Sequence, residues 1–108
     1  MANNYKIVVF VPESHADAVR EAMAAAGAGK IGNYTHCSFS SKGIGRFRPG
    51  QGAHPAIGEI GKSENVAEER IEMLAPADVV GNVLAAIRRA HPYEEPATDV
   101  YPLEDWGK

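Results

Sequence analysis

Cysteine is almost absent from this sequence. Cys37 stands alone in 108 residues, so no internal disulfide can form. A lone thiol suits a reducing compartment. Long apolar runs are missing too, and none approaches the roughly 20 residues that a membrane-spanning helix needs. The first residues lack the basic stretch, apolar run and cleavage site of a signal peptide, so the cytoplasm is the expected location. Excess charge is also lacking. The formal net charge of -3 is too weak, and of the wrong sign, for gripping nucleic acid over a wide surface. Neither nucleotide fingerprint occurs: there is no GxxxxGK followed by Ser or Thr, and the GIGRFRPG run does not open a helix.

What remains is the composition of a folded domain, with 44% hydrophobic and 23% charged residues. The length, 108 residues, gives room for one hydrophobic core, so residues 1–108 are read as a single domain. Residues 5–11, YKIVVFV, are β-branched and aromatic and predict a strand with two apolar faces. Residues 12–26 predict a helix with a stripe of Ala18, Val19, Ala22, Met23 and Ala26. Ser14 and Asp17 have capping-box spacing, and Gly27 stands at the helix end. Residues 33–41 alternate as a strand does. From about 42 to 66 glycine and proline recur, which predicts a long excursion rather than regular structure. Excursions of this length are commonly functional or used in assembly.

Residues 67–74, AEERIEML, predict a strand. Glu69, Ile71 and Met73 face one way, and Arg70, Glu72 and Leu74 the other. Pro76 opens a second helix, with Val80, Val83, Leu84 and Ile87 as its buried stripe, and Pro92 closes it. Residues 98–103 predict a last strand, at an edge or ending at Pro102. The order β-α-β-β-α-β predicts an α+β, ferredoxin-like split βαβ fold, an antiparallel sheet with both helices on one face. The other face, carrying Val8 and Phe10 or else Ile7 and Val9, has no cover of its own. A bare apolar face predicts homo-oligomerisation.

Candidate site residues are few. His91, Tyr93, Glu94 and Glu95, in the HPYEEP run, crowd an imidazole, a phenol and two carboxylates into five positions. That set suits a ligand pocket or a metal pocket, with a divalent metal as one candidate cofactor. The plainer reading is a helix end: His91 caps it, the prolines fix a turn and Tyr93 packs. Arg46 and Arg48, among glycines, could bring cationic side chains to this site from a neighbouring subunit. His36 and His54 join His91 as candidate metal ligands. His36 and Cys37, being adjacent in an expected strand, point to opposite faces and cannot share an ion. No nucleophile, base and orienting group can be assembled from spacing, so no enzyme activity is expected.

The run 29–74 and the block His91 to Asp105, HPYEEPATDVYPLED, together resemble the small PII/CutA-like domain inserted in Nif-three-like proteins. The glycine spacing and the HPYEEP block carry the likeness, which covers nearly the whole chain. An HPYE block before the last strand is also similar to CutA proteins. The resemblance implies a ferredoxin-like, PII/CutA-like fold and an assembling subunit, a trimer first and a dimer as the alternative. It implies a free-standing version of the insert, since 108 residues cannot hold the larger di-metal domain of full-length Nif-three-like proteins. The expected function is a non-catalytic regulatory or interaction domain that can bind a small ligand or a protein partner, with a CutA-like metal-binding protein as the alternative.

Overall fold

The apolar run near the N-terminus becomes the middle of the architecture. Strand β1 spans Asn4–Pro12 and is followed by helix α1 (Ala16–Ala25) and strands β2 (Phe39–Phe47) and β3 (Glu64–Pro76). Helix α2 (Val80–Ala90) and strand β4 (Thr98–Leu103) complete the chain. The structure is a computed structural model and describes residues 2–105. The strands form one antiparallel sheet in the order β2-β3-β1-β4. The chain therefore has the α+β, ferredoxin-like fold that its pattern of elements predicts.

Alternation along β1 divides its residues between two faces. Ile7, Val9 and Val11 lie with Ile71, Met73 and Ala75 of β3 in one cluster with Val19 and Met23 of α1 and Val83 and Ile87 of α2. Each of these is at most 1% exposed. Full burial of each large apolar side chain contributes about 1.5–3 kcal/mol, so this layer holds the fold together. Arg20 of α1 then fastens the helix to the sheet. Its Nη1 donates to Ser40 Oγ at 2.8 Å and to Glu69 Oε1 at 3.0 Å, while Nη2 meets Asp17 Oδ1 at 2.6 Å. Asp17 is thus engaged with Arg20, and the predicted capping box does not form. Ser14 Oγ lies 2.9 Å from His15 Nδ1, and a single 3-10 turn, Glu13–His15, leads into α1 instead.

The opposite face of the sheet differs from the bare apolar row expected. Val8 and Phe10 do occupy it, but Val8 is 0% exposed within the single chain and Phe10 is half-buried. Their cross-strand neighbours on β3 are Glu72 and Arg70, which are ion-paired at 3.1 Å. The Arg70 guanidinium stands 5.6 Å from the centroid of the Phe10 ring. Exposed apolar side chains are found on the two edge strands: Phe39 and Ile44 on β2, Val100 and Tyr101 on β4.

Two boundaries move. Residues 33–38 are not a strand: Ile31 and Tyr34 close a tight turn, and His36 has a left-handed backbone at φ 61°. The short polar alternation there has no buried face to fix it as a strand. The strand starts at Phe39, where pairing with Glu72 begins, so opposite faces of a strand do not describe His36 and Cys37. Conversely, β2 runs on through Gly43 and Gly45, and β3 begins at Glu64, which leaves an excursion of only residues 48–63.

The loop after α1 is locked by Gly29, whose amide donates to Leu74 O at 2.7 Å and whose carbonyl accepts from Cys37 N at 2.8 Å. Its φ is +82°, and a Cβ there would lie 2.7 Å from Met73 Cε and 2.8 Å from Cys37 O. Gly29→Ala is expected to lose about 2 kcal/mol of stability, combining the left-handed backbone cost with a clash against main chain that cannot swing away. Urea denaturation reads this directly. An unchanged midpoint would mean that the loop is not held as described.

Candidate functional site

The segment after α2 is built by its two prolines and one histidine. Pro92 forbids continuation of the helix, and His91 ends it with an extended backbone, its N–H donating to Ile87 O at 2.8 Å. The His91 ring does not turn back to the helix carbonyls. It is 6% exposed, with Nε2 2.7 Å from Phe10 O on β1, and its Nδ1 accepts from the Tyr93 amide at 3.1 Å. Those partners put the proton on Nε2 and leave neither nitrogen free. Burial pushes the His91 pKa below its ordinary value. The Phe10 carbonyl and the charge of Glu68 oppose that shift, and His15 adds to it.

His91 thereby positions Tyr93. The two rings lie 5.0 Å apart, and Tyr93 packs edge-on against Phe47 of β2 at 5.6 Å. The Tyr93 hydroxyl donates to Glu68 Oε2 at 3.1 Å. Burial raises the Tyr93 pKa well above the ordinary phenol value, reinforced by that hydrogen bond and by the charges of Glu68 and Glu64. Glu68 is a β3 residue and only 8% exposed. It fits because position 45 is glycine: a Cβ there would overlap the Glu68 carboxyl. The glycine that read as a sign of loop is a strand residue whose missing side chain makes room for a buried carboxylate.

Between this segment, the end of β2 and the excursion lies a cleft of about 590 Å³. Arg46, Arg48, Tyr93, Glu94 and Glu95 all line it. The arginines reach it from the same chain, so no neighbouring subunit is needed to bring them there. Arg48 donates from Nε and Nη2 to Ser63 Oγ at 3.0 and 2.8 Å. Glu94 Oε2 accepts from the His54 amide at 2.7 Å, which ties the excursion to the segment. Glu95 and Arg88 stand 3.9 Å apart, both largely exposed, a pair that adds little stability.

The candidate metal ligands are placed separately. His36 lies beside α1, with Nε2 3.4 Å from Glu21 Oε2. His54 sits exposed in the excursion, and His91 stands behind Tyr93 rather than in the cleft wall. Among the described residues, no three His, Cys, Asp or Glu side chains are grouped so as to hold a metal ion. Sequence reasoning missed Glu68, Phe47 and Gly45. The only signal for Glu68 was its place on the strand face shared with Arg70 and Glu72, and that does not distinguish a buried carboxylate from a solvated one.

No family model matches the chain. It is 52% identical over 104 residues to a GTP cyclohydrolase 1 type 2 homolog of Halalkalibacterium halodurans, covering 96% of this chain and 28% of that protein. It therefore spans little more than a quarter of the length of that curated relative. Among solved structures, a Bacillus cereus protein related to NIF3 superposes with a TM-score of 0.83 at 50% identity, over 96% of this chain and 26% of that one. The periplasmic divalent cation tolerance protein CutA of Archaeoglobus fulgidus superposes with a TM-score of 0.70 at 16% identity, over 97% of this chain and 88% of that one. Among the described residues no helix is long and apolar enough to cross a membrane. Over nearly its whole length the chain is thus a relative of one segment of NIF3-related proteins, the PII/CutA-like one, and it shares its fold with CutA.

Proposed function

We propose that this chain is a non-catalytic regulatory or interaction domain that self-associates and binds a small ligand in the cleft beside Tyr93. The observation that carries this reading is the cleft itself, where three aromatic rings, three carboxylates and two guanidiniums meet within one chain. Among the described residues no serine, threonine, cysteine, histidine or lysine lines it. The nearby imidazole, His91, has both ring nitrogens engaged. Such a wall is suited to binding and orienting a ligand through its carboxylates, guanidiniums and rings. The activity named for the relatives belongs to chains about three and a half times as long.

Self-association is supported by the exposed apolar residues on both edge strands, since unprotected edges invite pairing and a closed ring removes them. The CutA-like fold favours a trimer as the first expectation, with a dimer as the alternative. The proposed setting is the cytoplasm, with a protein partner rather than nucleic acid. The metal-binding alternative, on His36, His54 and His91, would need these residues to be brought together and His91 to give up a main-chain partner. Native mass spectrometry of the untagged protein at tens of micromolar tests the assembly and reports any retained metabolite or ion in the same spectrum. A trimer or dimer is expected. A monomer would overturn the self-association.

A further inference from the structure

We infer that the ligand is a small organic cation, an ammonium or guanidinium group on an apolar stem, with Glu68 as its counter-charge. This deepens the ligand-binding reading above and rests on it. Glu68 is 8% exposed and lines the cleft. One carboxyl oxygen, Oε2, accepts from the Tyr93 hydroxyl. Among the described residues no buried side-chain oxygen is left without a partner, so an unbonded Glu68 oxygen has to open toward the cleft, and no lysine or arginine is ion-paired with Glu68. Arg70, two positions along β3, is taken by Glu72 and by the Phe10 ring. A carboxylate this deeply buried without a cation is costly, and a positively charged guest removes that cost.

The walls suit the same guest. Phe10, Phe47 and Tyr93 border the cleft, and aromatic faces attract cations, most strongly where water is excluded. A metal ion is a poorer match, because no group of three or more His, Cys, Asp or Glu is arranged to hold one among the described residues. An anion is a poorer match as well. Arg46 and Arg48 are exposed and Arg48 is held by Ser63, whereas Glu68, Glu94 and Glu95 would all repel it. Gly45 completes the arrangement, since any side chain there would push the Glu68 carboxyl out of position.

The test is an amide NMR titration of the full 108-residue chain with phenethylamine, its uncharged counterpart 2-phenylethanol, and inorganic phosphate. The amine is expected to shift the amides of Gly45, Phe47 and Tyr93 and to bind at least about tenfold more tightly than the alcohol, the effect of one charge-assisted hydrogen bond. Glu68→Gln should erase that preference while the spectrum stays that of a folded chain. If Glu68→Gln disturbs the fold, Gly45→Ala, which displaces the carboxyl, should lower the preference instead. Equal binding of amine and alcohol, or binding of phosphate in place of the amine, overturns the cation and leaves a ligand-binding cleft. Silence from all three probes overturns the cation and counts against the cleft as a binding site.

Discussion

Val8→Asp is expected to leave the domain unfolded under native conditions. Val8 is 0% exposed on the face of the sheet away from the helices, and its cross-strand neighbours are Glu72 on one side and Asp99 on the other. A carboxylate placed there is buried between two acidic residues, and the guanidinium beside it, Arg70, is already paired with Glu72. That costs several kcal/mol, about the total stability of a small domain. Phe10→Asp on the same face makes a sharp contrast. Phe10 is only half-buried, and the Arg70 guanidinium already stands over its ring, so the new carboxylate would gain a cation. Its loss should be smaller, about 2–4 kcal/mol, mostly from the removed ring. Circular dichroism with urea titration separates the two. A folded Val8→Asp variant would mean that this face opens to water in solution, and that the burial of Val8 is not part of the fold's stability.

The contrast between Val8 and Phe10 also marks how far the sequence could be read. The order of elements was legible because each strand or helix carries its own period: alternation in β1 and β3, the 3.6-residue stripe in both helices, and prolines at their ends. The helix-facing set Ile7, Val9 and Val11 followed from that alternation, but which set faced the helices did not, because β1 is apolar on both sides. Nor could the sequence show that Val8 is buried without a partner chain. It is buried on the central strand β1, between β3 and β4, and strand pairing is a long-range property. The candidate site divides in the same way. The HPYEEP segment announced itself by its density of functional groups and its prolines. Glu68 and Gly45 did not, because a buried carboxylate and the glycine that accommodates it are twenty-three residues apart and meet only through the β2–β3 pairing. In local sequence glycine signals a break, whereas at position 45 it serves close approach.

His91→Ala is expected to cost about 3 kcal/mol and to remove a pH dependence that the intact chain shows. The ring satisfies two main-chain groups at once, accepting from the Tyr93 N–H and donating to the Phe10 carbonyl. Deleting it orphans both in a part-buried setting, at roughly 1–3 kcal/mol each, and frees the Tyr93 ring that borders the cleft. The arrangement needs a neutral imidazole, because Nδ1 must accept. Burial agrees, holding the folded pKa below the ordinary 6.5. The unfolded chain therefore takes up a proton at His91 more readily than the folded one. Stability from this residue is fully present above about pH 6.5 and falls as pH drops toward the lowered folded value. His91→Gln supplies a carbonyl acceptor and an N–H donor without titrating, so it should recover part of the lost stability and flatten this component. Urea midpoints for the wild type and His91→Gln between about pH 7.5 and pH 5 isolate the histidine, since carboxylates common to both chains cancel in the difference. A difference that stays constant across that range would mean that the folded His91 accepts its proton as readily as the unfolded one, and that the Tyr93 amide is not bound to Nδ1.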